Sequence, residues 1–168
     1  TRDPETAKIS VRAAITGHLV LSTLHTKSAV GGITRMADMG VEPYLTADSL
    51  CGMAAQRLVR KVCPHCAEAV ELTEEEQRLL GRTVKSAKRG RGCEHCLNTG
   101  YKGRTAVHEI FVMDRELKRM TAENRPAWEI EEYIMKTQGM RTMREELADL
   151  VCDGVIPMEE FLRTVEVR

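Results

Sequence analysis

Two cysteine pairs constrain this chain more than any other feature. Cys63-Pro-His-Cys66 and Cys93-Glu-His-Cys96 repeat the C-x-x-C spacing with 26 residues between the pairs. Two residues between thiolates let a tight turn aim both sulfurs at one ion, and two such knuckles complete a tetrahedron. The gap exceeds that of a typical zinc ribbon, but loop closure costs grow only slowly with length. Glycines at 92, 100 and 103 supply the turns that the second knuckle needs. Structural Zn²⁺ on Cys63, Cys66, Cys93 and Cys96 is therefore the expectation, ahead of an iron–sulfur cluster or thioredoxin-like redox chemistry, which would leave one pair unexplained. Four thiolates close the site, so it stabilises the fold and catalyses nothing. His65 and His95 read as bystanders between the ligands. Cys51 and Cys152 are expected on helical segments as buried free thiols.

The chain of 168 residues holds 25 acidic and 25 basic residues, which argues against a broad positive face for nucleic acid. No apolar stretch is long enough to span a bilayer, and no signal peptide is present. A cytoplasmic setting is expected, where six cysteines are more readily metal ligands or free thiols than disulfides. Aromatic residues make up 4% against 42% apolar, so the core must be aliphatic.

Asp3-Pro4-Glu5 reads as a helix start, with Ala7, Val11, Ala14 and Ile15 on one face and Gly17 as the stop. Residues 18–25 follow as a buried strand, judged by length, β-branched content and flanking breakers. Ser28 caps a second helix that carries Ile33, Met36 and Met39 inward and stops at Gly40. A short helix from Thr46 to Cys51 leads to a strand from Ala55 to Val62. This order suggests part of an α/β sheet, with a first segment at 1–62. Residues 63–103 form a separate tetracysteine module, in which Thr73 and Glu76 make a capping box for a helix through Leu80. Its basic run "GRTVKSAKRGRG" (81–92) reads as a solvated loop, or a patch for acidic lipid or an acidic partner. In 104–168, a closing strand (104–113) precedes helices at 115–121, 126–137, 142–153 and 157–165.

"GHLVLSTLHT" (17–26) places His18 and His25 at the two ends of one apolar run. Seven strand steps separate their Cα atoms by roughly 23 Å and turn the rings to opposite faces, so they share no metal. Ser22 and His25 also face apart, and no G-x-S-x-G elbow supports a hydrolytic dyad. Ligands bind beyond the carboxyl ends of strands in open parallel sheets, where His25 and Thr26 could donate to a phosphate. From the residues alone, His25 is either ligand-facing or structural, while His18 is structural or a subunit contact.

"RDPETA", "GHLVLSTLHT", "AQRLVRKVCPHC", "CEHCLNTGYKGRTAVHEI" and "GMRTMREELADLVCDGVIPMEEFLRTV", in this order, resemble the ATPases of type II secretion and type IV pilus assembly. The resemblance implies an α/β fold, the carboxy-terminal part of a RecA-like P-loop ATPase domain with a tetracysteine zinc module and a helical subdomain. It implies a cytoplasmic hexamer, peripheral at the inner face of the cell membrane, that hydrolyses ATP with Mg²⁺ and meets inner-membrane platform proteins. His25 would reach toward the γ-phosphate and His18 would support the site or a subunit interface. Arg2 and Asp3 match the tail of the Walker B segment, beside the nucleotide with Thr26. Gln56 and Arg57 lie in the nucleotide domain, in packing or in the site. The tetracysteine module matches the assembly and secretion branch rather than the retraction branch. No G-x-x-x-x-G-K-[ST] loop occurs; Gly81-Arg-Thr-Val-Lys-Ser lacks the second glycine. The chain thus reads as a carboxy-terminal fragment, expected to be inactive alone without Walker A, the aspartate box and the Walker B glutamate. The alternative is a non-enzymatic zinc-containing interaction module on a degenerate nucleotide-binding scaffold.

Overall fold

The structure is a computed structural model that describes residues 1–166; the end of the 104–168 segment lies outside the described residues. The chain forms two units: Thr1–Ala55 with Glu109–Met140, and Gln56–His108 with the residues from Arg141 on.

In the first unit, the Asp3 carboxylate accepts the Thr6 amide at 2.8 Å and opens α1 (Pro4–Ile15), with Pro4 in the first turn. Thr16 closes it and Gly17 follows at φ +94°. Ala7 and Val11 are buried; Ile15, expected on the same face, is exposed. The Ser28 hydroxyl accepts the Gly31 amide at 3.1 Å, and α2 (Gly31–Asp38) begins there. Its Ile33 and Met36, with Met39 beyond it, point inward.

The next helix, α3 (Pro43–Ser49), starts earlier than the expected Thr46–Cys51, because Pro43 suits a first helical position. Cys51 therefore lies outside a helix and is exposed, which corrects the buried helical thiol. Strand β1 (Gly52–Val62) pairs with a later strand, Tyr101–Val112, in a two-stranded sheet. The Met113 amide donates to the Cys51 carbonyl at 2.8 Å and the Cys63 amide to the Gly100 carbonyl at 2.9 Å, so the two strands are antiparallel.

Residues 18–26 form no regular element, contrary to the expected buried strand. Leu19 and Leu21 are 84% and 88% exposed. A strand requires a neighbour for its amides and carbonyls. Among the described residues no strand pairs with this run, although Thr1 touches Ser22 and Thr23. Apolar content indicated burial, but burial needs a covering element as well.

In the second unit, β2 (Ala67–Glu71) and β3 (Ser86–Gly90) pair antiparallel, with Ala67 opposite Gly90 and Glu71 opposite Ser86. Between them stands α4 (Glu74–Leu80), opened by the expected Thr73–Glu76 capping box. Within the solvated loop expected over 81–92, Ser86–Gly90 forms a strand, while the run's five basic residues stay exposed as expected. Glu68 stands opposite Arg89, so acidic residues on β2 complement the basic run, and Ala87 turns inward. The longer strand Tyr101–Val112 is β4.

Back in the first unit, α5 (Arg115–Ala122) is capped by Asp114, and α6 (Ala127–Gln138) ends at Gly139 with φ +65°. The second unit finishes with α7 (Met143–Cys152), whose Thr142–Glu145 capping box is complete, and α8 (Met158–Glu166). All four helices fall within a residue or two of their expected spans.

The first unit's cores are mainly aliphatic, as composition leads one to expect, with Phe111 as an aromatic member. One contains Val30, Ile33, Phe111, Leu117, Ile130 and Ile134; another contains Ala7, Val11, Met36, Met39 and Val41. Both sheets among the described residues have two strands, fewer than the parallel sheet that the helix–strand alternation suggested.

Candidate functional site

The tetracysteine cluster is assembled entirely in the second unit. Cys63 follows β1 and Cys66 precedes β2. Cys93 and Cys96 bracket a single 3₁₀ turn, Glu94–Cys96. A left-handed pair, Leu97 at φ 52° and Asn98 at φ 59°, returns the chain past the second knuckle. Two glycines permit the crossing: a methyl on Gly90 would overlap the Gly100 backbone, and Gly100 itself stands at φ +77°.

All four Sγ atoms lie within 4.8 Å of one another. Cys63 and Cys93 are 4.0 Å apart, Cys66 and Cys96 3.9 Å, and Cys93 and Cys96 3.7 Å. Disulfide sulfurs lie about 2.05 Å apart, so these are free thiols. Tetrahedral bonds of about 2.3 Å to one zinc ion place sulfurs about 3.8 Å apart. The donor set thus fits a metal ion. Amide donors supplement it: Gly92 donates to Cys66 Sγ at 3.3 Å, Cys93 to Cys96 Sγ at 3.2 Å and Gly100 to Cys96 Sγ at 3.3 Å. Burial pushes the Cys66 thiol up. It acts on Cys96 too, but there the Cys93 and Gly100 amides outweigh it and favour the thiolate. Such donors orient and stabilise metal-bound sulfur. His65 and His95 stack with ring centroids 4.0 Å apart and remain outside the sulfur cluster.

The histidine segment belongs to the first unit. His18 turns back onto α1, with Nδ1 3.3 Å from the Ala13 carbonyl oxygen and 3.2 Å from the Thr16 hydroxyl. His25 is exposed and Thr26 half-buried. The Thr1 hydroxyl lies 2.5 Å from the Ser22 hydroxyl, which brings the start of the chain alongside the histidine segment. Arg2 is exposed, whereas the Asp3 carboxylate is committed to capping α1; the Thr6 amide and hydroxyl hold its pKa below the ordinary value. In the second unit, Gln56 is exposed and Arg57 half-buried on β1.

Glu109 escaped the reading of the sequence. It is 1% exposed and accepts the Ala29 amide at 3.0 Å, fixing the backbone four residues after His25. Its signal was an acid that, beside His108, interrupts an apolar strand run, "AVHEIFV".

Residues 1–163 match the family described as Type II/IV secretion system protein. The chain belongs to this family. It is 46% identical, over 98% of its length, to the type IV pilus assembly ATPase PilB of Thermus thermophilus. Identity is 45% over 96% to the type II secretion system protein HxcR of Pseudomonas aeruginosa, and 41% over 98% to the type II secretion system ATPase E of Vibrio cholerae. The chain spans 19%, 31% and 33% of those relatives. Its fold resembles that of the pilus retraction motor PilT crystallised with ADP, at TM-score 0.63, over 98% of this chain and 37% of that one. At 23% identity this likeness speaks for the fold. The chain thus combines a PilT-like fold with a four-cysteine cluster able to hold a metal ion.

Proposed function

We propose that this chain supplies the histidine-box, tetracysteine and helical portion of a hexameric cytoplasmic ATPase that powers pilin or pseudopilin assembly at inner-membrane platform proteins. The supporting observation is identity of 41–46% to secretion and pilus assembly ATPases across nearly the whole chain. In the intact protein, His25 with Thr26 meets the terminal phosphate of Mg²⁺-ATP, which other residues of the longer protein cradle. Arg2 lies at the edge of that site, with Asp3 holding α1 in place beside it, and His18 secures the start of the segment. An exposed imidazole on a segment that pairs with no strand among the described residues can move toward a phosphate as subunits close. Glu109 supports this by fixing Ala29 behind the segment.

Zn²⁺ is the metal we assign to Cys63, Cys66, Cys93 and Cys96. Four thiolates leave it no open position, so it fastens β1 to the base of the β2–β3 hairpin and performs no catalysis. The hairpin's basic residues offer a contact for acidic lipid at the inner membrane face. No helix among the described residues is long and apolar enough to cross a membrane.

The test is steady-state ATP turnover and nucleotide affinity of the intact protein carrying His25→Ala. Turnover should fall about 100-fold, as for loss of one group that acts in the transition state, while nucleotide affinity changes by less than about threefold. Near-normal turnover removes His25 from the chemistry. Turnover by residues 1–168 alone would contradict the dependence on missing phosphate-binding parts.

A further inference from the structure

A cavity of about 270 Å³ opens in the first unit between α2, α3, α5 and the start of α6. Its walls are largely aliphatic, with Ile33 from α2 and Ile130 from α6 among them. Thr46 of α3 and Thr121 of α5 also line it. Each is only 2% exposed, and their Oγ1 atoms are the buried side-chain polar atoms that lack a partner among the described residues. A buried hydroxyl without a hydrogen bond costs on the order of 1–3 kcal/mol, so two on one cavity wall call for a shared explanation. Threonine in a helix commonly donates back to the carbonyl one turn earlier; neither residue does so here. The cavity is far larger than one water requires. A third polar feature is the start of α6, where no side chain caps the first amides and Ala127 borders the cavity.

We infer that this cavity is a binding site for a small neutral molecule with a short branched aliphatic body and an amide or similar head. The head's carbonyl would accept from the α6 amides, its N–H groups would donate to the threonine hydroxyls, and the aliphatic body would rest on Ile33 and Ile130. A neutral head suits the charge at the rim. Arg125 is already paired with Glu123 and Glu129, at 3.1 and 3.4 Å, and so leaves no free cation for an anion. The site is separate from the histidine segment and from the cysteine cluster, and its residues take no part in the proposed ATPase chemistry.

Isobutyramide is the probe. Titrated into the 168-residue chain with methyl-detected NMR, it should give saturable shifts concentrated on the methyls of Thr46, Thr121, Ile33 and Ile130. Thr46→Val and Thr121→Val keep side-chain shape while removing the hydroxyl. Each should raise the thermal midpoint of the free chain and weaken probe binding at least fivefold, and Thr46→Ser should restore binding. Absence of saturable shifts at these methyls overturns the proposal. A lowered midpoint in both valine variants also overturns it, because it would show the hydroxyls already satisfied by backbone or enclosed water.

Discussion

Glu160 is a carboxylate with no exposed surface, and its oxygens are fully occupied. One accepts the Arg60 amide at 2.9 Å and the Arg163 guanidinium at 2.6 Å; the other accepts Arg60 Nη2 at 2.8 Å. Burial pushes its pKa up, but Arg163, Arg60 and the Arg60 amide outweigh that and bring it down to about 2. A folded pKa below the unfolded value stabilises the protein above the unfolded pKa, and this contribution is lost as pH falls through the folded one. For Glu160 the window runs from the ordinary glutamate value of 4.5 down to about 2. Glu160→Gln should therefore cost about 2–3 kcal/mol at neutral pH, discounted because Arg60 is half open to solvent. Chemical denaturation at several pH values should show a flatter acid limb in the variant than in the parent. Nothing in "MEEFLRT" marked this residue, since its partner Arg60 lies 100 positions away in the chain. Asp3 and Thr73 were more legible, because a cap acts on amides two or three residues ahead.

Among the elements, the β2–β3 hairpin depends most on the metal. Every residue of β2 is exposed, so the hairpin has little apolar burial to stand on. A structural zinc site contributes about 10 kcal/mol to a small fold. Cys93→Ser, or removal of metal with a strong chelator, should collapse amide hydrogen-exchange protection in Leu72, Arg91 and the β2–β3 ladder. Protection in α5 and α6 of the first unit should persist. Equal loss in both units would refute a role confined to the second. The cysteine spacing announced this centre because ligand geometry is local to each knuckle. The hairpin was illegible for the opposite reason: Glu68 and Arg89 explain each other only once paired. Residues 18–25 failed for a related reason, as their composition suits a sheet whose neighbouring strands are not among those described.

For the molecule as a whole, the exposed apolar surface is the feature that needs a partner. Leu19 and Leu21 stand open, and Ile9 and Ile15 on α1 are also exposed. Leucines this exposed on a segment that pairs with no strand among the described residues favour contact with another copy of the chain. The isolated chain should therefore self-associate in analytical ultracentrifugation at tens of micromolar (roughly the range of weak interfaces), and Leu19→Ser with Leu21→Ser should reverse it. A clean monomer at high concentration would contradict this expectation. The family assignment rests on residues 1–163 and does not depend on that outcome. The mechanism does depend on where one side chain goes. The decisive measurement is a structure of the intact protein with Mg²⁺ and a non-hydrolysable ATP analogue. The account predicts a His25 ring nitrogen about 3 Å from a γ-phosphate oxygen; a ring turned away from the nucleotide in every subunit would contradict it.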